Sequence, residues 1–298
     1  MDYKKIIKSQ KLRFAILHLL SWVPDRIMIL LQYRIKMGFW PELKHPKRFT
    51  EKLQVYKLKY RNPLMHQCVD KYEVRSYVKS KGLGHILNEL YGIYDTVDDI
   101  DLESLPPQFV AKNTNGSGGQ DVMIVREKSG VSSKTLAEFF QLRMGKNVAC
   151  LSREWAYSGI KKSRVIVEKL LESNNADGSI EDFKFFCFKG KFRAMCVDRN
   201  RYSDHHRGFW DENLHFLKEV SSDHDTFSEI YPLPDNINEM IRYAETLSED
   251  FPFVRVDLYN INGMIVFGEL TFYPWGGYVI FKPESFDYHL GEYFTEYY

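Results

Sequence analysis

The feature that most constrains this chain lies near its end, in two runs of alternating residues, Phe253 to Tyr259 and Met264 to Phe272. In the first, Arg255, Asp257 and Tyr259 interleave with Val254, Val256 and Leu258, the period of a strand with one charged and one apolar face. Glu269 and Thr271 repeat the pattern in the second run, and Asn260-Ile261-Asn262-Gly263 joins the two as a hairpin. An isolated hairpin is marginal in water, so these strands require a larger sheet to sit in.

Register decides what the hairpin can do. A three-residue loop ending at Gly263 sets Asp257 opposite Phe267 and Arg255 opposite Glu269. Both carboxylates then share a face as diagonal neighbours and can share a metal ion. A two-residue Asn262-Gly263 turn instead puts them on opposite faces, and the metal reading collapses. The expected register is the first. Its bland rival is an Arg255–Glu269 salt bridge on a wet face, but the strongly apolar flanks suit central strands and favour a paired function.

Lys and Arg number 41 against 40 Asp and Glu, so no net field draws the whole molecule to nucleic acid or to an anionic surface, and any basic patch is local. Cys68, Cys150, Cys187 and Cys196 form no CxxC pair, which argues against a zinc knuckle or a disulfide framework and for reduced, mostly buried thiols. The apolar run Phe14 to Val23 is interrupted by His18 and Ser21 and ends at Pro24, too short to span a bilayer. Trp22-Val23-Pro24 supplies no small-residue cleavage site, and the expected location is the cytoplasm. The basic, apolar amino-terminal end (Lys4, Lys5, Lys8, Lys11, Arg13) is compatible with peripheral membrane contact.

Residues 1–60 carry helical spacing, with Pro24 and Pro41 as punctuation. Asp70 and Glu73 form a capping box for a further helix that stops at Gly82. After Pro106-Pro107 the period changes to strands, Gln108 to Lys112 and Asp121 to Val125, joined by Asn113-Thr114-Asn115-Gly116-Ser117-Gly118-Gly119. A helix over Ser133 to Met144, a strand at Arg164 to Glu168 and a hairpin from Asp182 to Val197 turning at Lys189-Gly190 follow. The stretch Asp198 to Asp225 reads as polar loop, ahead of a helix from about Asn236 to Ser248.

Several of these segments carry chemistry. The glycine loop lets successive backbone N–H groups point into one concavity that suits phosphate oxygens, and Lys112 leads directly into it. It is not a Walker A loop, since no Gly-Lys-Ser/Thr ends it; a plain hairpin loop is the simpler alternative. Lys71 stands inside a helix N-terminus, where a cation opposes the macrodipole, and an anionic ligand would explain it better than solvent exposure does. The strand ending in Glu168-Lys169-Leu170-Leu171 reads either as a surface strand end or as a hinge whose backbone and carboxylate meet the edge of adenine.

Taken in order, Asp70-Lys71, Phe109-Val110-Ala111-Lys112 with its glycine loop, Val167 to Leu171, Asp182 to Phe188, Arg255-Val256-Asp257 and Gly268-Glu269-Leu270-Thr271 resemble the TupA-like ATP-grasp family. Phe49-Thr50-Glu51-Lys52-Leu53 and Arg255 to Tyr259 look specific to that family, which is associated with teichuronopeptide and other surface polysaccharides. The resemblance runs from about Pro46 to Gly291 and implies an α/β ATP-grasp fold. It further implies that Lys71 and Lys112 hold ATP phosphates while Asn115, Gly116, Ser117, Gly118 and Gly119 close over them. The same resemblance implies that Glu168, Lys169 and Leu171 meet adenine, that Asp182 faces the ribose and that Lys184 lies near the phosphates. It implies too that Asp257 and Glu269 carry magnesium (Mg2+) and that Arg255 stabilises transition-state charge. Many ATP-grasp ligases have Asn where this chain has Thr271, which becomes a third candidate metal ligand.

The expectation is therefore an N-terminal helical segment over residues 1–60 packed on an ATP-grasp domain over residues 61–298, with nucleotide held between two sheets. The activity implied is ATP-dependent ligation of a carboxylate to an amine through an acyl phosphate, in surface polysaccharide synthesis. Partners are ATP, a small molecule or saccharide bearing a carboxylate, and an amine co-substrate, with no nucleic acid. Arg199, Arg201, His205, His206 and Arg207 form a local basic cluster suited to an acidic saccharide or to a solvated loop. The rival functions are a glycosyltransferase, for which Asp223-His224-Asp225 has the spacing of a metal motif, a sugar kinase, and an inactive saccharide-binding protein.

Overall fold

The computed structural model describes residues 9–116, 121–141, 152–173 and 177–298. Ser117, Gly118 and Gly119 of the glycine loop lie outside them, as does Cys150. The chain divides into two compact units. One comprises Met1–Asn62, Ala149–Trp155 and Ser173–Tyr298, the other Pro63–Val148 and Ala156–Glu172. Residues 61–298 are thus divided between them. Among the described residues no helix is long and apolar enough to cross a membrane.

The helices are α1 (Gln10–Leu19), α2 (Asp25–Met37), α3 (Phe49–Lys59), α4 (Leu64–Val69), α5 (Val74–Ser80), α6 (Ser133–Gln141), α7 (Ile237–Ser248) and α8 (Ser285–Tyr293). The strands are β1 (Leu90–Tyr94), β2 (Phe109–Asn113), β3 (Val122–Val125), β4 (Val165–Glu168), β5 (Asp182–Phe188), β6 (Lys191–Arg199), β7 (His206–Asp211), β8 (Phe253–Ile261) and β9 (Met264–Thr271).

The first unit is built on an antiparallel sheet of order β7-β6-β5-β8-β9. Every residue of the central strand β5 is buried. Helix α7 packs against β5 and β8, presenting Ile237, Met240, Ala244 and Leu247, all buried at helical spacing. Phe186, Phe188, Phe253 and Phe294 surround Phe49 of α3. The Phe49 to Leu53 motif has a structural reason here. Asp287 of α8 accepts the Thr50 N–H at 2.9 Å and its hydroxyl at 2.7 Å, Lys52 donates to the Gly291 carbonyl at 2.7 Å, and the buried Glu51 carboxylate accepts the Lys47 and Arg48 N–H groups. The motif stitches α3 to α8 and closes its own helix start.

The polar loop expected over Asp198 to Asp225 contains a strand instead. Residues His206–Asp211 pair with β6 as β7. The sequence hides it because Arg207 breaks the apolar pattern, yet that guanidinium is buried against Asp198. Gly208 is required in the strand, since a Cβ there would meet the Phe227 ring at 2.6 Å.

The second unit holds an antiparallel sheet of order β1-β4-β2-β3 over a core of Val97, Phe109, Leu136, Phe140, Val165 and Val167 among others. The Asp70 carboxylate accepts the Tyr72 and Glu73 N–H groups at 2.9 and 3.0 Å. The regular helix nevertheless begins only at Val74, after a turn at 71–73, and it ends before Gly82 at φ 75°. Cys68, Cys187 and Cys196 are buried and in no disulfide among the described residues.

Candidate active site

In the second unit the candidate nucleotide residues gather around the ends of β2 and β4. Antiparallel pairing sets Val110 opposite Glu168 and Lys112 opposite Ile166, and Lys112 Nζ donates to Glu168 Oε2 at 2.7 Å. The other oxygen of Glu168 accepts Arg75 at 2.9 Å, so the hinge carboxylate lies between two cations. The Lys169 N–H donates to the Glu89 carbonyl at 2.9 Å and its own carbonyl accepts Asn88 at 2.8 Å; Leu171 is half-buried.

The glycine loop is strapped at its base. Asn113 N–H bonds to the Asp121 carbonyl at 3.0 Å and Thr114 N–H to that of Arg164 at 2.8 Å. Lys71 N–H meets the Thr114 carbonyl at 2.9 Å, and Lys71 Nζ donates to the Gly116 carbonyl. Gly116 has no room for a side chain, because a Cβ would lie 2.6 Å from Asp121. Asn115 Oδ1 accepts Ser163 at 3.1 Å. Two arginines here escape a reading of the sequence. Arg75 stands four residues after Lys71, the helical spacing that could have exposed it. Arg164 pairs with Glu73 at 2.6 Å and Asp70 at 3.7 Å.

In the first unit the candidate catalytic residues form a ladder of buried charge across the sheet. The β8–β9 register differs from both expectations. Ile261 pairs with Met264 around a two-residue Asn262-Gly263 turn, with φ of 52° and 88°, the left-handed pair that such hairpins demand. Alone, that turn would separate the carboxylates. A bulge between Asp257 and Leu258 and their partners leaves Gly268 as the extra residue, so Asp257 opposes Glu269 directly and Arg255 opposes Thr271. The carboxylates share a face after all, as directly opposed rather than diagonal neighbours. Gly268 sits so close to β8 that a Cβ would lie 2.9 Å from the Asp257 carbonyl oxygen.

Arg255 grips Asp257 through Nε and Nη2, each at 2.7 Å, and also donates to Thr271 Oγ1 at 3.1 Å. Thr271 in turn donates to Glu269 Oε1 at 3.0 Å. Lys184 donates to Asp257 at 2.8 Å and to Asp182. Asp182 also accepts Arg201 at 3.0 Å, while its Oδ1 is buried with no hydrogen-bond partner among the described residues. Burial raises the Asp182 carboxyl above its ordinary value even with Lys184 beside it. Burial alone would pull Lys184 down, but Asp182 and Asp257 hold it above the usual lysine value. Arg255 is likewise held up by Asp257 against the cost of burial.

The ladder continues where the basic cluster was expected. Arg207 binds Asp198 at 2.5 Å and also Asp223, His205 lies 3.1 Å from Asp198, and Arg199 lies 3.4 Å from Glu181. These side chains are therefore engaged largely by internal carboxylates, and Asp223 of the Asp-His-Asp spacing serves Arg207. Beyond Thr271, the turn through Trp275, Gly276 and Gly277 has φ of 51°, 63° and 73°. Lys57 of α3, unnoticed in the sequence, donates to the Gly276 carbonyl at 2.5 Å, and burial pulls its amine down to about 7.

Among the described residues no three His, Cys, Asp or Glu side chains converge as a ready-made metal cage. Asp257 and Glu269 offer two carboxylates on neighbouring strands. That donor set fits magnesium, which takes one or two carboxylates and completes its shell with water and substrate phosphates.

No curated protein matches the chain. Solved structures similar to it include D-alanine--D-alanine ligase from Bacillus anthracis, at 18% identity over 69% of this chain and 57% of that one with a TM-score of 0.42. N5-carboxyaminoimidazole ribonucleotide synthetase from Thermus thermophilus matches at 10% identity over 69% and 45%, with a TM-score of 0.37. The ATP-grasp ligase PsnB, solved with a phosphomimetic variant of its minimal precursor, Mg and ADP, matches at 9% identity over 79% and 59%, with a TM-score of 0.43. The chain spans a little over half the length of that D-alanine--D-alanine ligase. A comparison with protein families matches residues 51–295 to the TupA-like ATPgrasp family, and over that span, which includes every residue of both constellations, the chain belongs to the TupA-like ATP-grasp family.

Proposed function

We propose that this protein is an ATP-dependent carboxylate–amine ligase acting in the synthesis of a bacterial surface polysaccharide. The observation that supports this reading most is the direct pairing of Asp257 with Glu269, with Arg255 bound to the first and Thr271 to the second. Two opposed carboxylates with a fixed guanidinium suit the handling of phosphoryl charge.

In this reading Lys71 and Lys112 bind ATP phosphates, with Asn115, Gly116, Ser117, Gly118 and Gly119 enclosing them against water. Glu168, Lys169 and Leu171 line the adenine. Asp182 faces the ribose, whose hydroxyl suits the buried Oδ1 that lacks a donor. Lys184 lies near the phosphates, and Asp257 and Glu269, with Thr271 beside them, would hold magnesium, which would neutralise phosphate charge. A substrate carboxylate oxygen attacks the γ-phosphorus and the bond to ADP breaks, giving an acyl phosphate. The amine nitrogen then attacks the acyl carbon, phosphate departs, and the nitrogen loses a proton to leave an amide. Arg255 keeps its charge throughout and stabilises the oxyanion of the second step. A uronic or amino acid as carboxylate, an amino acid or amino sugar as amine, a cytoplasmic location and peripheral contact with the inner face of the membrane belong to the same reading.

The test is product analysis by mass spectrometry after incubation with ATP, magnesium, and a panel of uronic acids, amino acids and amino sugars. The expected result is an amide formed with equal amounts of ADP and phosphate. ADP with a phosphorylated sugar would make the protein a kinase, and sugar transfer from a nucleotide-sugar would make it a glycosyltransferase. No turnover and no ATP binding would leave a saccharide-binding protein.

A further inference from the structure

The amino-terminal helices leave an apolar surface uncovered. Among the described residues, seven of the thirteen exposed large hydrophobic side chains lie between Leu12 and Trp40. On α2, Met28, Ile29, Tyr33 and Met37 are buried on the inner side, so a helix needing only one apolar face would be polar elsewhere. Instead Ile27, Leu31 and Ile35, four residues apart and therefore one stripe, are 49%, 44% and 49% exposed. Leu12 and Leu19 of α1, seven residues apart, repeat this.

Two tryptophans flank α2. Trp22 precedes it at 79% exposure and Trp40 follows it at 59%, at the ends of a helix on the order of 20 Å long. The turn carrying Trp22 is anchored: the buried Arg153 donates to the carbonyls of Leu20 at 2.7 Å, Ser21 at 3.2 Å and Val23 at 3.1 Å, and to Asp25 at 2.8 Å. An indole on a pinned turn stays exposed by construction, not through fraying.

Charge identifies the occupant. Residues 1–40 carry eight basic side chains against two acidic ones, Asp2 and Asp25, whereas the whole chain is balanced to +1. Arg26 and Arg34 are exposed on the stripe's own helix, Arg34 three residues from Leu31 and so beside it. A second protein copy would bring the same positive charge to the contact. An anionic bilayer brings the opposite one, accepts aliphatic side chains at its acyl boundary, and seats tryptophans at the headgroup level.

We propose that α1, α2 and the turns bearing Trp22 and Trp40 form a monotopic docking surface for an anionic lipid bilayer. This extends the membrane contact proposed above by naming the surface and its partner, and it uses none of the residues assigned to the reaction.

Flotation of the full chain with vesicles tests it. The chain should float with vesicles of phosphatidylglycerol and phosphatidylcholine in equal parts and stay behind with phosphatidylcholine alone. The triple variant Ile27→Gln, Leu31→Gln, Ile35→Gln should lose at least about tenfold in partitioning while keeping wild-type turnover of soluble substrates. Trp22→Ser, on an exposed turn, serves as a second variant should the triple one fail to fold, and it should partition more weakly than wild type. The proposal is overturned if the wild-type chain floats with neither vesicle, if a folded variant floats as well as wild type, or if light scattering shows a dimer that the substitutions turn into a monomer.

Discussion

In the four-stranded sheet Lys112 keeps 25% of its side chain exposed while paired with Glu168. In the five-stranded sheet Lys184 keeps 7%, shared among Asp182, Asp257 and, at 3.9 Å, Asp198. Both lysines are proposed to meet phosphate charge, yet they are held differently. A partly exposed cation can lose its partner to water at little cost. A buried one cannot, because its removal strands carboxylates in a medium that solvates them poorly. Around Lys184 the charges are thus buried and mutually paired, whereas the Lys112–Glu168 pair stays partly open to solvent.

The largest expected effect follows from that contrast. Lys184→Met should destabilise the protein by about 3–5 kcal/mol, read by denaturant unfolding, since Asp182 and Asp257 both lose a buried cation and keep only Arg201 and Arg255 respectively. A loss under about 1 kcal/mol would erase the distinction.

Titration sharpens it next. Burial raises the Asp287 carboxyl from 3.8 to about 6, despite its hydrogen bonds from Thr50. A raised carboxyl means the folded state holds the proton more tightly, so this contribution to stability is present at about pH 4 and is lost as pH rises through about 6. The swing should be on the order of 2–3 kcal/mol. Asp287→Asn should flatten this part of the stability profile relative to wild type; an unchanged slope would contradict the assignment.

Lys112→Ala sits at the opposite end of the comparison. It should leave stability within about 1 kcal/mol and weaken ATP binding by about 1.5–3 kcal/mol, measured by calorimetry. An unaltered affinity would remove Lys112 from the nucleotide site.

How much of this could be read from the sequence depends on whether the signal is local. The Lys189-Gly190 turn, the Asp70 cap and the α7 spacing are legible because turn dihedrals and helical faces are properties of neighbouring residues. The β8–β9 register defeats a local reading, although the shared face it was expected to create is present. Asn-Gly favours the two-residue turn, and Gly268 inside a strand favours a bulge. Each shifts the register by one, and together they restore a common face for Asp257 and Glu269. β7 stays hidden because Arg207 looks solvated until Asp198 stands beside it across the strand. Arg75 and Lys57 go unnoticed for the same reason, since their partners are distant in the chain.

The most direct test combines activity and stability in Glu269→Gln. Glu269 is 44% exposed at its side chain and contributes little to the buried ladder, so stability should stay within about 0.5 kcal/mol. Amide formation with ATP and magnesium, followed by mass spectrometry on the same preparation, should be lost. A folded variant that forms amide at the wild-type rate would contradict the assignment of the Asp257–Glu269 pair to the phosphoryl chemistry.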